Sequence, residues 1–305
     1  MAQGKKVGFI GIGAQKSATS WLHHVLSEHP QITASEPKEL NYFTANYDRG
    51  DLWYENQFTP ASEDNIRGEC SPTYFFSKDA PLRAQRYNPD LRLIVILRDP
   101  VSRAFSNHLH ELRKGHIAQE TSFEAALAAN HAYVEQSQYA ENLTCWLDHF
   151  DRESLLVLLA EEIAADPGTT FRAVCRHLGV SADNRPAGLG ERRHESVANK
   201  SDRLQSKIRM VGEAARSLGL GKFVEQIKKA PPVRGLLALN KRDLRKTVPP
   251  MEQATRQELT RLFRKDVAYV ADILGRRELP WPTWQALARD AEAVRSRGGK
   301  AANAG

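Results

Sequence analysis

The amino-acid sequence predicts an α/β fold: a central parallel β-sheet flanked by helices on both faces, with a mainly helical C-terminal part. Three observations lead there. Residues 91–97, LRLIVIL, are almost wholly apolar, as a strand covered on both faces must be. Shorter apolar runs at 7–10 and 155–159 also precede segments of helical spacing, and alternating strand and helix argues parallel strands joined by right-handed crossovers. The first unit turns through Gly11 and Gly13 straight into a helix start, a form that holds an anion at the edge of such a sheet. The expected architecture is P-loop-like in that sense.

Taken in order, the first strand, turn and helix end near His29 and Pro30, and Ile32 opens a short extended stretch. Residues 53–58 form a brief amphipathic helix, 67–76 a second strand ending in a Ser71-Pro72 turn, and 80–87 a helix. Arg98-Asp99-Pro100 stops the strand at 91–97, and Pro100 stands at the start of a helix over 101–114, a favoured place for proline. Helices follow over 123–129 and 134–150, then the strand at 155–159 and a short segment closed by Asp166-Pro167. A helix over 169–178 ends at Gly179. Residues 203–218 are helical and 231–250 a basic loop. One long helix over 252–274 is closed by Gly275 and packed down by Trp281 and Trp284. One domain over 1–290 is expected, with a disordered tail over 291–305. The loops starting at Gly11, near Cys70 and at Arg98 fall at strand C-termini and share one crevice.

Composition narrows the function. Of 305 residues, 41% are hydrophobic and 26% charged, the balance of a soluble globular protein. No apolar run approaches about 18 residues, so no transmembrane segment is expected, and the polar start carries no signal peptide. Three scattered cysteines suit neither a disulfide frame nor a metal site, and point to a reducing, cytoplasmic compartment. The net charge of +6 suits an anionic ligand. Nucleic acid is not favoured: the basic residues of 222–246 are interleaved with no aromatic beyond Phe223. A solvated surface segment is the plain alternative for that stretch.

The chemistry concentrates in Gln15-Lys16-Ser17-Ala18-Thr19-Ser20-Trp21. Free N–H groups of a first helical turn, the charge of Lys16 and the hydroxyls of Ser17, Thr19 and Ser20 all suit a phosphate-like group. The nucleotide-triphosphate pattern G-x-x-x-x-G-K-[ST] is not met, because Ile10 and Gln15 stand where it needs glycine. The dinucleotide fingerprint lacks its third glycine.

The run Gly13 to Leu22 resembles the 5′-phosphosulfate loop of sulfotransferases that use 3′-phosphoadenosine 5′-phosphosulfate (PAPS), with Ala18 where glycine is usual. Leu97 to Ser106, LRDPVSRAFS, is similar to the same family's 3′-phosphate motif, in which an Arg and a Ser eight residues apart bind the nucleotide. Residues 37–43, PKELNYF, and 68–75, GECSPTYF, resemble segments of the heparan-sulfate type and its bacterial relatives, with Cys70 in place of a common lysine. The resemblance covers most of 6–284.

It implies sulfonate transfer from PAPS to a hydroxyl or amine of an acceptor (a carbohydrate, glycolipid or small metabolite), leaving 3′,5′-adenosine bisphosphate, with no metal. By that match Lys16 stabilises the leaving phosphate, Glu39 is the base and Lys38 holds the sulfonate or acceptor. Arg98 and Ser106 bind the 3′-phosphate, and Arg192, Arg193 and His194 lie in a basic loop over the nucleotide. Plainer roles stand beside these. Glu39 is alternatively a surface carboxylate paired with Lys38, Trp21 a core residue, and Arg192 to His194 a solvated loop. His108 and His110 are rival bases or simply helix histidines, as are His23 and His24. A nucleotide kinase or NTPase, and a non-catalytic anion-binding module, are the competing functions.

Overall fold

Strand β1 (Phe9–Gly13) is buried at every position, because the chain lays neighbours on both of its edges. The computed structural model describes residues 6–58, 62, 64–190, 197–199, 241–243 and 247–302. Strands β2 (Ile32–Ala34), β3 (Ile66–Cys70), β4 (Arg92–Leu97) and β5 (Leu155–Leu159) complete a five-stranded sheet of order β2-β3-β1-β4-β5. All its pairings are parallel.

Helices cover both faces, as the all-apolar strands require. On one face α1 (Thr19–Ser27), α8 (Ala160–Ala165) and α9 (Pro167–Leu178) bring Trp21, Leu22, Val25, Ile163, Phe171 and Val174 onto Phe9, Cys70, Ile94 and Ile96. The alternate residues Leu93, Val95 and Leu97 point to the other face and are equally buried. Helices α2 (Asp51–Glu55) and α3 (Ala80–Tyr87) flank an aromatic cluster in which Tyr42 stacks on Tyr54 at 4.2 Å and Tyr87 meets Phe43 at 5.7 Å.

After β4 the chain enters α4 (Pro100–Lys114), followed by α5 (Phe123–Ala129). The helix expected over 134–150 is instead two, α6 (Ala132–Glu135) and α7 (Tyr139–Leu147). The break has a cause. Arg103 on α4 is fully buried, and its guanidinium donates to Ser137 Oγ, to Gln136 Oε1 at 3.0 Å and to the Tyr133 carbonyl at 2.6 Å. Ser137 Oγ also donates to the Pro100 carbonyl. Residues between α6 and α7 thus serve a buried cation. Burial pushes its pKa down to about 10, which leaves it charged near neutrality.

The helix expected over 252–274 also divides, into α10 (Gln253–Leu262) and α11 (Arg264–Ile273), at the fully buried Phe263. Gly275 ends α11 with φ 60°. The last helix, α12 (Pro282–Ala302), continues beyond the expected boundary at 290, so residues 291–302 are helical and not an unstructured tail. Where one domain is expected, contacts divide the chain into two compact units: Met1–Asn107 with Leu127–Arg193 and Met251–Gly305, and His108–Ala126 with His194–Pro250. In the second unit β6 (Val197–Asn199) pairs antiparallel with β7 (Lys241–Asp243). No helix among the described residues is long and apolar enough to cross a membrane.

One buried carboxylate ties the start of α4 to the C-terminal segment. Asp99 Oδ1 accepts the Ser102 N–H at 2.8 Å, capping α4, and Oδ2 accepts the Thr283 N–H at 2.9 Å. The Asp99 N–H donates to Glu161, whose other oxygen accepts the indole N–H of the buried Trp281. Asp99→Ala removes a cap and strands a buried N–H, and should cost about 2–3 kcal/mol in urea unfolding. A loss below about 0.5 kcal/mol would show that the carboxylate is dispensable.

Candidate functional site

The phosphate-type loop hangs from the C-terminal end of β1. Gly13 ends the strand with φ 154°, and a Cβ there would lie 2.6 Å from Phe75 Cβ and 3.2 Å from the Pro72 carbonyl oxygen. Only glycine lets β1 pass this close to the 72–75 turn. The Ala14 N–H then bonds the Ile96 carbonyl at 2.8 Å, which clamps the loop to β4. Lys16 and Ala18 both take left-handed backbone, with φ of 67° and 70°. The chain thereby coils into the start of α1, where Trp21 and Leu22 N–H groups bond the Ala18 carbonyl. Ala18 has no side chain with which to cap α1.

This geometry gathers residues far apart in sequence. Arg98, just beyond β4, directs Nη1 to the Lys16 carbonyl at 3.5 Å across 82 positions of chain. Tyr139 OH donates to the Arg98 carbonyl at 2.8 Å and fixes that strand end. Ser106 lies on α4, nearly buried at 8% exposure. Gln15, Lys16 and Ser20 are half-buried, Thr19 is buried and Ala18 is exposed. Ser17 is 1% exposed, and its Oγ has no hydrogen-bond partner among the described residues. A buried hydroxyl without a partner beside a lysine and an uncapped helix start fits an anion-binding role.

The 38–43 segment joins the same loop. Lys38 Nζ donates to Ser20 Oγ at 3.1 Å and to Glu39 Oε1 at 2.8 Å. Glu39 has φ 66°, and its side chain is 45% exposed. The pairing with Lys38 considered for Glu39 is therefore present, and the burial wanted in a general base is not. Tyr42 and Phe43 root the segment in the aromatic cluster.

Other candidates are placed elsewhere. Trp21 is a core residue at 6% exposure whose indole N–H donates to the Leu189 carbonyl at 3.0 Å, so its donor is not directed at a ligand. Cys70 is buried too. A Cβ on Gly11 would lie 2.6 Å from its Sγ, so the side chain points into the core under α1. Burial pushes this thiol up to about 12, leaving no charge to replace a lysine. His108 packs edge-on to Phe123 at 5.7 Å, and burial lowers its pKa. His110 Nδ1 lies 3.0 Å from Arg113, and His24 pairs with Glu28. Arg192, Arg193 and His194, and the basic residues at 222–240 and 244–246, lie outside the described residues. Among those described, no group of three or more His, Cys, Asp or Glu could hold a metal ion.

Sequence reasoning passed over Glu69. It sits in β3 with 1% exposure and accepts hydrogen bonds from Ser71 Oγ at 2.6 Å and Tyr74 OH at 2.5 Å. Burial raises its carboxyl to about 7 against the pull of those bonds. The available signal was an acidic residue inside a strand of buried type, followed at once by Ser-Pro-x-Tyr.

The sulfotransferase-domain family model matches residues 9–208. The chain is similar to heparan sulfate glucosamine 3-O-sulfotransferase 3A1 of Mus musculus, with 32% identity over 182 residues, 56% of this chain and 45% of that protein. It is similar to bifunctional heparan sulfate N-deacetylase/N-sulfotransferase 4 of Mus musculus, with 30% identity over 193 residues, 57% of this chain and 22% of that protein. The chain thus spans less than half the length of these curated relatives. In structure it resembles a sulfotransferase from Alicyclobacillus acidocaldarius, with a TM-score of 0.65 and 25% identity over 90% of this chain and 98% of the other.

Left-handed backbone at a residue with a Cβ costs about 1–2 kcal/mol, and Ala18 is such a residue. Ala18→Gly should relieve that strain and, after glycine's entropy in the unfolded chain, raise stability by about 0.5–1 kcal/mol. Urea midpoints of the two proteins test this; a clear fall in the glycine variant would contradict the conformation assigned to the loop.

Proposed function

The chain belongs to the sulfotransferase family, and from that premise we propose that it moves the sulfonate of PAPS to a hydroxyl or amine of an acceptor. The observation that carries the reading is the meeting of the Lys16 loop and Arg98 at the ends of β1 and β4, with Ser17 Oγ buried beside them and without a partner among the described residues. When bound, PAPS supplies an activated sulfonate on a phosphate leaving group.

The residues divide the work. Ser17, Thr19, Ser20 and the first N–H groups of α1 hold the 5′-phosphate end. Arg98 offers a planar fork to the 3′-phosphate, with Ser106 as a hydroxyl partner. Lys16 neutralises charge that develops on the leaving phosphate, the kind of contribution whose removal costs about 10²–10³ in rate. Lys38, already on Ser20 Oγ, stands where it can steady the sulfonate or acceptor. Glu39 takes the acceptor's proton, which requires its bond to Lys38 to loosen as the acceptor enters. In-line transfer needs positioning and charge stabilisation, and no covalent enzyme intermediate. The acceptor class we favour is a glycan hydroxyl or amine, because the relatives named above act on heparan sulfate.

Two measurements test the reading. A ligand held at 100 times its Kd stabilises by about 2.7 kcal/mol, so 3′,5′-adenosine bisphosphate should raise the melting temperature by several degrees. ATP with magnesium, or an oligonucleotide, should do much less. Stabilisation by ATP with no response to the bisphosphate would favour the kinase or NTPase reading and sink this one. Glu39→Gln should lower transfer of labelled sulfonate to glucosamine-containing oligosaccharides by about 10²–10⁴ with bisphosphate affinity intact. Near-normal turnover would remove Glu39 from the role.

A further inference from the structure

The backbone of the 38–43 segment is held by a carboxylate that lies outside it. Ser71 Oγ accepts the Asn41 N–H at 2.9 Å and donates to Glu69 Oε2 at 2.6 Å. Tyr74 OH accepts the Tyr42 N–H at 2.7 Å and donates to Glu69 Oε1 at 2.5 Å. Two consecutive amides therefore converge on one buried carboxylate, each through a single hydroxyl. A hydroxyl has one proton to give, so each relay is polarised in one direction: amide to hydroxyl to carboxylate.

The amides so fixed sit where the backbone is least comfortable. Glu39 and Asn41 both have positive φ, 66° and 50°, conformations that persist only where surroundings over-determine them. Asn41 adds side-chain bonds to the Glu39 carbonyl at 2.9 Å and from Thr73 at 2.6 Å. Those bonds fix Asn41. Its own amide and that of Tyr42 reach the sheet through Glu69 in β3.

We infer that Glu69 is a positioning residue for sulfonate transfer: through Ser71 and Tyr74 it sets the left-handed turn that presents Lys38 and Glu39 to the phosphate loop. This rests on the sulfotransferase reading above. Glu69 itself touches no reacting atom. Its two oxygens are taken up by Ser71, Tyr74 and the more distant Tyr54 OH at 3.5 Å, all buried within the fold.

The test compares Glu69→Gln, Ser71→Ala and Tyr74→Phe with the unaltered protein. Glutamine keeps the size but has one acceptor oxygen, so both relays cannot be served. The hydroxyl deletions cut one relay each and keep the question answerable if the glutamine variant does not fold. Amide hydrogen exchange in the peptide over 38–43 should speed up by roughly tenfold or more, while exchange in β4 stays unchanged. Conversion of PAPS to bisphosphate, with water as the acceptor, should fall by about tenfold with bisphosphate Kd within about threefold. Combined with Glu39→Gln, the variants should produce no additional loss, since Glu69 acts through the segment that carries Glu39. Unchanged exchange over 38–43 would overturn the inference, as would a loss of turnover that multiplies with that of Glu39→Gln or that tracks bisphosphate affinity. The two readings fail separately. If Glu39→Gln alone keeps its turnover, the base assignment falls, and the exchange data still decide whether Glu69 holds the segment. If the bisphosphate gives no thermal shift, the sulfotransferase reading falls first.

Discussion

The close passage of β1 against the 72–75 turn governs what this fold can hold. At Gly13 there is no room for a side chain, and that tightness carries the backbone to the Ile96 carbonyl on β4. The pairing of β1 with β4 shifts register between Gly11 and Gly13, so the loop leaves the sheet at the strand edge instead of continuing along it. Lys16 is then turned back by its positive φ, and its carbonyl meets the guanidinium of Arg98, one residue past the end of β4. A side chain at position 13 would force β1 off the 72–75 turn and displace the loop that carries Lys16.

Around that junction the protein buries several ionisable groups, and each is held in a different way. Asp99 is saturated by backbone N–H groups, the cheapest partners because the helix and strand ends leave them free in any case. Arg103 donates to neutral acceptors, a carbonyl, an amide oxygen and a hydroxyl. Glu69 relies on hydroxyls. Removing one partner from such a group leaves a buried charge or donor exposed to its full desolvation penalty, so these contacts specify the arrangement more than they add to stability. They also explain the local irregularities. The gap between α6 and α7 exists to serve Arg103, and the turn at 39–41 is held by Glu69.

The parts of this design legible in the sequence are those with short-range causes. The strands at 91–97 and 155–159 announce themselves by unbroken apolar runs, and the helix at 80–87 is found at its observed bounds. The loop at 13–20 was legible because glycines, a lysine and hydroxyls crowd into one turn. Tertiary causes were not legible. Periodicity runs smoothly through 134–150 and 252–274, and nothing local says that Arg103 will claim Gln136 and Ser137 or that Phe263 will turn inward at a break. Trp21 beside the phosphate-type loop could face a ligand or the core; only the position of the Leu189 carbonyl resolves it. Glu69 reads as one acidic residue in a strand until the 39–43 segment is laid over it.

Arg103 also bears on how ions in the surrounding solution act on the site. Mobile counterions screen exposed charges over a Debye length of about 8 Å at physiological ionic strength, and buried ones far less. Burial first, and Arg98 nearby, disfavour the charge of Arg103, yet Arg103 is sealed from solvent. Part of the positive potential at the end of β4 is therefore a fixed property of the interior, beyond the reach of added electrolyte. Attraction of a phosphate to that end should decline with rising salt toward a floor, not toward zero.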